Sequence, residues 1–197
     1  PLQIDITNSC NLKCAHCYHA NHSNYGALTL NQWFGLVDEY FALITKLHYK
    51  PMILICGGEP TSSPIFIKIL EYLGQRDSQT EIVVLSNGTL LSESLVNKMA
   101  SLSQNLSIQI SLDGPDSNRN DMIRGPGSFD RSLRGIDTLK KHGIRFQILT
   151  VLSMRSSTWV KDFFELAKKL EAKNLSFTRF IESGFANQLK NLEIDRA

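Results

Sequence analysis

Long apolar runs are missing from this chain. Its hydrophobic stretches are short, as at Ile82–Leu85 and Ile148–Leu152, far below the roughly 20 residues that a membrane span needs, so no membrane partner is expected. Blocks of like charge are missing too. With 21 Lys and Arg against 19 Asp and Glu, the net charge is +2, and neither the totals nor any local cluster supports a nucleic-acid partner. No charged-then-apolar leader opens the chain. Cysteine is scarce and unevenly placed: three of the four lie within eight positions, where bridges would close only tiny loops, so no disulfide framework is expected. A reducing, cytoplasmic compartment fits this usage. Low-complexity tracts, internal sequence repeats and linker-like runs are also absent, and residues 1–197 read as one domain long enough to bury a real core. The chain opens at Pro1 and stops at Ala197 just after an apparent strand, so a segment of a longer protein is expected.

What is present is an alternation. Leu2–Thr7, Met52–Cys56, Ile82–Leu85, Leu106–Ser111, Arg145–Leu152 and Leu175–Ile181 read as short strands buried on both faces. Between them, Trp33, Phe34, Val37, Phe41 and Ile44 repeat at helical spacing behind a capping box at Thr29 and Gln32. Further helices are expected over Ser63–Leu73, Glu93–Leu102, Phe129–His142, stopped by Gly143, and Thr158–Glu171. Such β/α repetition implies a parallel sheet covered by helices, either an open doubly wound sheet or a whole or partial barrel. Periodicity alone does not choose.

In both architectures ligands sit at the carboxyl ends of the strands. The unusual polar and glycine-rich segments fall there. A cysteine cluster follows the first strand, Gly57-Gly58-Glu59-Pro60 the second, Ser86-Asn87-Gly88 the third, Ser111-Leu112-Asp113-Gly114 the fourth, and Arg179 to Gly184 the sixth. One rim therefore carries the candidate site.

Cys10, Cys14 and Cys17 form a C-x3-C-x2-C loop. Thiolates are soft ligands suited to zinc or iron–sulfur clusters, and a loop this short reaches three corners of a [4Fe–4S] cube that has four irons to satisfy. One iron is left open, as in a catalytic metal site. Cys56, at the end of the second strand, reads as a small buried apolar residue. A compact zinc site from Cys14, Cys17, His19 and His22 would crowd four ligands into nine residues, whereas structural zinc sites usually join two separated knuckles. A redox C-x-x-C at Cys14–Cys17 would leave Cys10 and the glycine motifs unexplained.

C-x3-C-x2-C after strand one, GGEP after strand two and SLDG after strand four together resemble the radical S-adenosylmethionine (radical SAM) superfamily, and the order and spacing of these motifs agree through the whole chain. The resemblance implies a partial (β/α)6 TIM-like barrel, a [4Fe–4S] cluster on Cys10, Cys14 and Cys17, and S-adenosylmethionine on the fourth iron. It implies that His16 packs toward the adenine. Gly57, Gly58, Glu59 and Pro60 would bind the amino group, and Ser111 and Arg124 the carboxylate, with Arg119 as the competitor to Arg124. Val151, or its neighbours Thr150 and Leu152, would lie against the adenine. Ser86 and Asn87, with Asp113 in the equivalent place on strand four, are short polar residues suited to the ribose or methionine part, or to turns. Arg179 and Glu182 are candidate substrate contacts.

By the same resemblance the reaction is one-electron cleavage of S-adenosylmethionine to a 5′-deoxyadenosyl radical that abstracts hydrogen from substrate. The electron would come from a donor such as flavodoxin or ferredoxin. The segments ISLDGPDSNRNDMIRGPGSFDRSLRGI and RFIESG look most like the peptide- and protein-modifying branch, which includes maturases of ribosomal peptides and often carries a SPASM or twitch extension with auxiliary clusters. The chain departs from that pattern in having no cysteine after Cys56. Small-molecule cofactor biosynthesis is the second reading, and a non-catalytic zinc module the rival from another class.

Overall fold

Among the described residues six strands pair in the order in which they occur along the chain, and every pair is parallel. They are β1 (Leu2–Asp5), β2 (Met52–Cys56), β3 (Glu81–Ser86), β4 (Leu106–Ser111), β5 (Arg145–Leu152) and β6 (Leu175–Arg179). The structure is a computed structural model that describes residues 1–18, 22–24, 26–181 and 183–184. A doubly wound sheet reverses its strand order at a switch point, whereas this sheet never reverses, so the alternative left open by periodicity resolves to the partial barrel.

Among the described residues seven α-helices occupy the connections: α1 (Leu30–Leu47), α2 (Phe66–Arg76), α3 (Glu93–Leu102), α4 (Ser117–Arg124), α5 (Ser128–Lys141), α6 (Met154–Ser157) and α7 (Val160–Leu170). The Thr29–Gln32 capping box opens α1 as expected. One face of the sheet, formed by Ile4, Ile53, Ile55, Ile82, Val84, Ile108, Ile110 and Ile148, packs beneath apolar helix residues such as Val37, Leu70, Met99, Ile136 and Leu139. None of the described helices is long and apolar enough to cross a membrane.

Three expectations need correction. Burial on both faces holds for β3, where Ile82, Val83 and Val84 are buried in succession, but not for β4, which alternates buried with half-buried residues, nor for most of β5, because the incompletely closed barrel leaves its concave side open. The second helix begins at Phe66 rather than Ser63, since Pro60–Ser62 first form a 3-10 turn. Two helices were not anticipated. α4 is almost wholly polar and shows no apolar stripe for periodicity to detect, and α6 is a single turn capped by Ser153.

Candidate active site

The carboxyl ends of the strands surround a cavity of about 320 Å³, and Cys10, Cys14 and Cys17 all line it. The cysteine loop is held from two sides. Ala15 N donates to Ile123 O (2.8 Å) in α4, and Asn11 Nδ2 donates to Thr89 Oγ1 (2.8 Å) in the turn after β3. Burial pushes the Cys10 thiol up and the Cys14 thiol to about 11, so metal must displace protons to bind there. Among the described residues no three Cys, His, Asp or Glu groups converge on one point as a single ion requires. A cube, which takes its three sulfurs at separate corners, suits this donor set better. Of the zinc alternative's four ligands, His22 lies with Nε2 3.9 Å from Cys17 Sγ, and His19 falls outside the described residues.

Gly57 and Gly58 are required by a close approach of backbone to backbone. Gly58 N donates to Thr7 O (2.7 Å) and Glu59 N to Ser9 O (2.9 Å), stitching the end of β2 to the segment that leads into Cys10. A Cβ at either glycine would collide with the carbonyls of Thr7, Asn8 or Ser9, and Gly57 also has φ +128°. Both glycines still line the cavity.

Glu59 and Pro60 are fully or largely buried and lie behind the cavity wall. Glu59 Oε1 accepts from Thr61 N (3.1 Å), Thr61 Oγ1 (2.6 Å) and Ser86 Oγ (2.9 Å), while Oε2 accepts from Asn87 N (2.7 Å). Burial raises its pKa and these four donors oppose the rise. Glu59 thus braces the third rim segment, and Ser86, whose Oγ also accepts from Gly88 N (2.9 Å), is part of that brace.

Asp113 is likewise buried behind the wall. Its Oδ1 accepts from Val151 N (2.8 Å), and its Oδ2 meets both His16 Nε2 and Arg124 Nε at 2.5 Å. Burial alone would raise the carboxyl pKa, but the Arg124 guanidinium and His16 hold it well below the usual carboxylate range. The Arg124 Nε–H is not aimed along the line to the oxygen, so this contact is an ion pair rather than a formed hydrogen bond. Arg124 also reaches Cys14 Sγ with Nη1 at 4.0 Å.

Arg124 and His16 line the cavity; Arg119 does not. Arg119 pairs instead with Asp162 (2.5 Å) and Asp116 (3.3 Å) and lies over the Trp159 ring, so of the two arginines it is Arg124 that faces the cavity. Ser111 lines the cavity with a hydroxyl that has no hydrogen-bond partner among the described residues. Of the three residues closing β5, only Val151 reaches the cavity; Thr150 is buried with Oγ1 bonded to Leu112 O (2.8 Å). Arg179 lines the mouth, and Glu182 falls outside the described residues. Cys56 also lines the wall, its thiol pushed up to about 12 by burial.

Sequence reasoning missed Asn120 and Asp121, which place Arg124. Asn120 Oδ1 accepts from Asp113 N (3.0 Å) and its Nδ2 donates to Ser128 Oγ (2.9 Å). Asp121 accepts from Gly127 N and Phe129 N, tying the end of α4 to the start of α5. The available signal was the Asp116 N-cap ahead of a polar run.

A partial parallel barrel whose rim gathers three cysteines outside any disulfide, a glycine edge, the Ser111 hydroxyl and the Arg124 guanidinium suits an enzyme that holds an iron–sulfur cluster and a small cofactor at its strand ends. The model of the radical SAM superfamily matches residues 4–170, and the chain belongs to that superfamily. A [4Fe–4S] cluster and S-adenosylmethionine are accordingly its cofactors. The chain is 37% identical over 172 residues to an AdoMet-dependent heme synthase of Methanosarcina barkeri, covering 85% of this chain and 47% of that protein. It is 30% identical over 185 residues to the mycofactocin maturase MftC of Mycobacterium tuberculosis, covering 93% and 45%. In fold it is similar to Streptococcus suis SuiB bound to the precursor peptide SuiA, with TM-score 0.79 at 22% identity, covering 98% of this chain and 42% of that one. The chain spans about half the length of the curated relatives it matches.

Proposed function

We propose that this chain is the 1–197 core domain of an enzyme that cleaves S-adenosylmethionine reductively and uses the product to take hydrogen from a peptide or protein substrate. The observation that carries the reading is the meeting, on one cavity, of three cysteine thiols with the Ser111 hydroxyl and the Arg124 guanidinium. Held by Cys10, Cys14 and Cys17, a [4Fe–4S] cluster would supply the single electron for reductive cleavage of S-adenosylmethionine to methionine and a 5′-deoxyadenosyl radical, which would take hydrogen from the substrate.

The protein's part is binding, orientation and containment. Cys10, Cys14 and Cys17 hold the cluster. Arg124, anchored by Asp113, offers its remaining N–H groups to the cofactor's carboxylate beside the Ser111 hydroxyl, and paired donors of this kind suit a carboxylate. The Gly57–Gly58 edge supplies close-packed backbone to the methionine end, and His16 and Val151 supply the wall for the adenine. Arg179 at the mouth is a substrate contact. A flavodoxin- or ferredoxin-like protein in the cytoplasm is the proposed electron donor.

The peptide reading is supported by the maturases among the relatives and by the likeness to SuiB. A second reading, a tetrapyrrole-type small molecule, is favoured by the 37% identity to a heme synthase. The test is anaerobic incubation of reconstituted protein with S-adenosylmethionine and dithionite. Formation of 5′-deoxyadenosine, lost in Cys14→Ala, supports the chemistry; its absence with an intact cluster refutes it. Deuterium transfer into 5′-deoxyadenosine from a labelled precursor peptide or a labelled porphyrin then separates the two substrates.

A further inference from the structure

Asn87 stands on the cavity wall, but its side chain has no capacity left for a ligand. The amide Nδ2 donates to Asn11 Oδ1 (2.9 Å) and toward Cys10 Sγ (3.9 Å), while Oδ1 accepts from Thr89 N (2.9 Å) and Thr89 Oγ1 (2.6 Å). Two donors and two acceptor sites are all that a carboxamide has. Its backbone is equally committed: N donates to Glu59 Oε2 (2.7 Å) and O accepts from Ser132 Oγ (2.7 Å). At 7% exposure, such a saturated amide is rigid.

We infer that Asn87 is a positioning residue for the iron–sulfur cluster and sets its reduction potential through Cys10, rather than contacting S-adenosylmethionine. The inference rests on the reading of Cys10, Cys14 and Cys17 as cluster ligands. Cys10 Sγ receives two N–H groups, from Leu12 N (3.4 Å) and from Asn87 Nδ2. Donors to a ligating sulfur stabilise the extra negative charge of the reduced cluster and raise its potential. The same amide grips Asn11, which itself bonds Thr89 Oγ1, so the donor and the loop it addresses are held in one network. Glu59 completes the connection. Buried behind the glycine edge, it holds Ser86 and the Asn87 backbone, so the GGEP segment reaches the cluster through the turn after β3.

The test uses reconstituted protein without S-adenosylmethionine. Iron and sulfide content first establish that Asn87→Ala and Asn87→Asp carry the wild-type cluster, and an EPR-monitored redox titration then reads the midpoint. Asn87→Ala should move it to more negative potential. Asn87→Asp, which keeps the acceptor for Thr89 but turns a carboxylate toward the sulfur, should move it further the same way. Affinity for S-adenosylmethionine should be unchanged in Asn87→Ala. Unshifted midpoints in both variants, or weakened cofactor binding without a shift, would overturn the inference. If Asn87→Ala assembles no cluster, Asn11→Ala decides: it keeps the donor but removes the second anchor, and should lose iron to a chelator several-fold faster than wild type, an unchanged rate being the refuting result. Failure of the proposed function reads differently, as no 5′-deoxyadenosine from wild-type protein with its cluster intact.

Discussion

Arg124 and Asp113 form a buried ion pair, Nε to Oδ2 at 2.5 Å, with side-chain exposures of 9% and 0%. Removing one member of such a pair leaves an uncompensated charge in a poorly solvated place, at a cost of about 3–5 kcal/mol. Asp113→Ala is therefore expected to lower the urea midpoint of the apo-protein sharply and to weaken S-adenosylmethionine binding. The double variant Asp113→Asn/Arg124→Met should recover much of the stability without recovering the binding. Equilibrium unfolding and calorimetric titration of the cofactor read the two effects separately.

The same carboxylate predicts an acid dependence. Its pKa is held below the unfolded value of ~3.9, so the stability it contributes is fully present above that value and is lost as pH falls below it. Urea midpoints of wild type should therefore fall on acidification below pH ~4, and those of Asp113→Asn should fall less steeply.

Glu59→Gln is expected to destabilise by about 1–3 kcal/mol, because an amide group replaces an acceptor that faces Asn87 N or Ser86 Oγ and leaves a buried donor unpaired. The loss should appear in the unfolding midpoint and, through the displaced turn after β3, as reduced iron retention after reconstitution.

Gly58→Ala sets a Cβ against the backbone of Asn8 and Ser9, which cannot move aside without dragging the segment before Cys10. Overpacking of this kind costs about 1–3 kcal/mol. The more diagnostic outcome is low iron and sulfide incorporation in a folded protein, read by metal analysis beside circular dichroism.

Cys56 and Cys14 should behave oppositely. Cys14→Ala is expected to abolish a stable cluster, whereas Cys56→Ala should keep wild-type iron and sulfide content, since Cys56 reads as wall rather than ligand. Equal loss in the two variants would make Cys56 a fourth ligand and close the position reserved for S-adenosylmethionine.

Much of the architecture was legible because it rests on local rules. The isoleucine-rich stretches Ile53–Ile55 and Ile108–Ile110 marked strands, and Thr29 with Gln32 marked a helix start. α4 was not legible: an octet whose only apolar residues, Met122 and Ile123, are adjacent has no apolar period, and its helical form depends on Asp116 at one end and on the Asp121 contacts with Gly127 and Phe129 at the other. The candidate site was half legible. Spacing exposed the cysteines and the glycines, but not that Glu59, Ser86 and Asp113 turn their polar groups inward, because the partners that claim them come from other strands.

By itself the sequence determined the alternation of strand and helix, the gathering of cysteine at the end of the first strand and the glycine edge after the second, since each follows from residue type and short-range spacing. Only the tertiary structure decided that Arg124 rather than Arg119 faces the cavity, that Asp113 anchors it, and that Asn87 addresses a cysteine sulfur. Those choices depend on contacts between residues 11 and 110 positions apart, such as Arg124 with Asp113 and with Cys14, and the meeting of distant segments is set by the packing of the whole sheet beneath its helices.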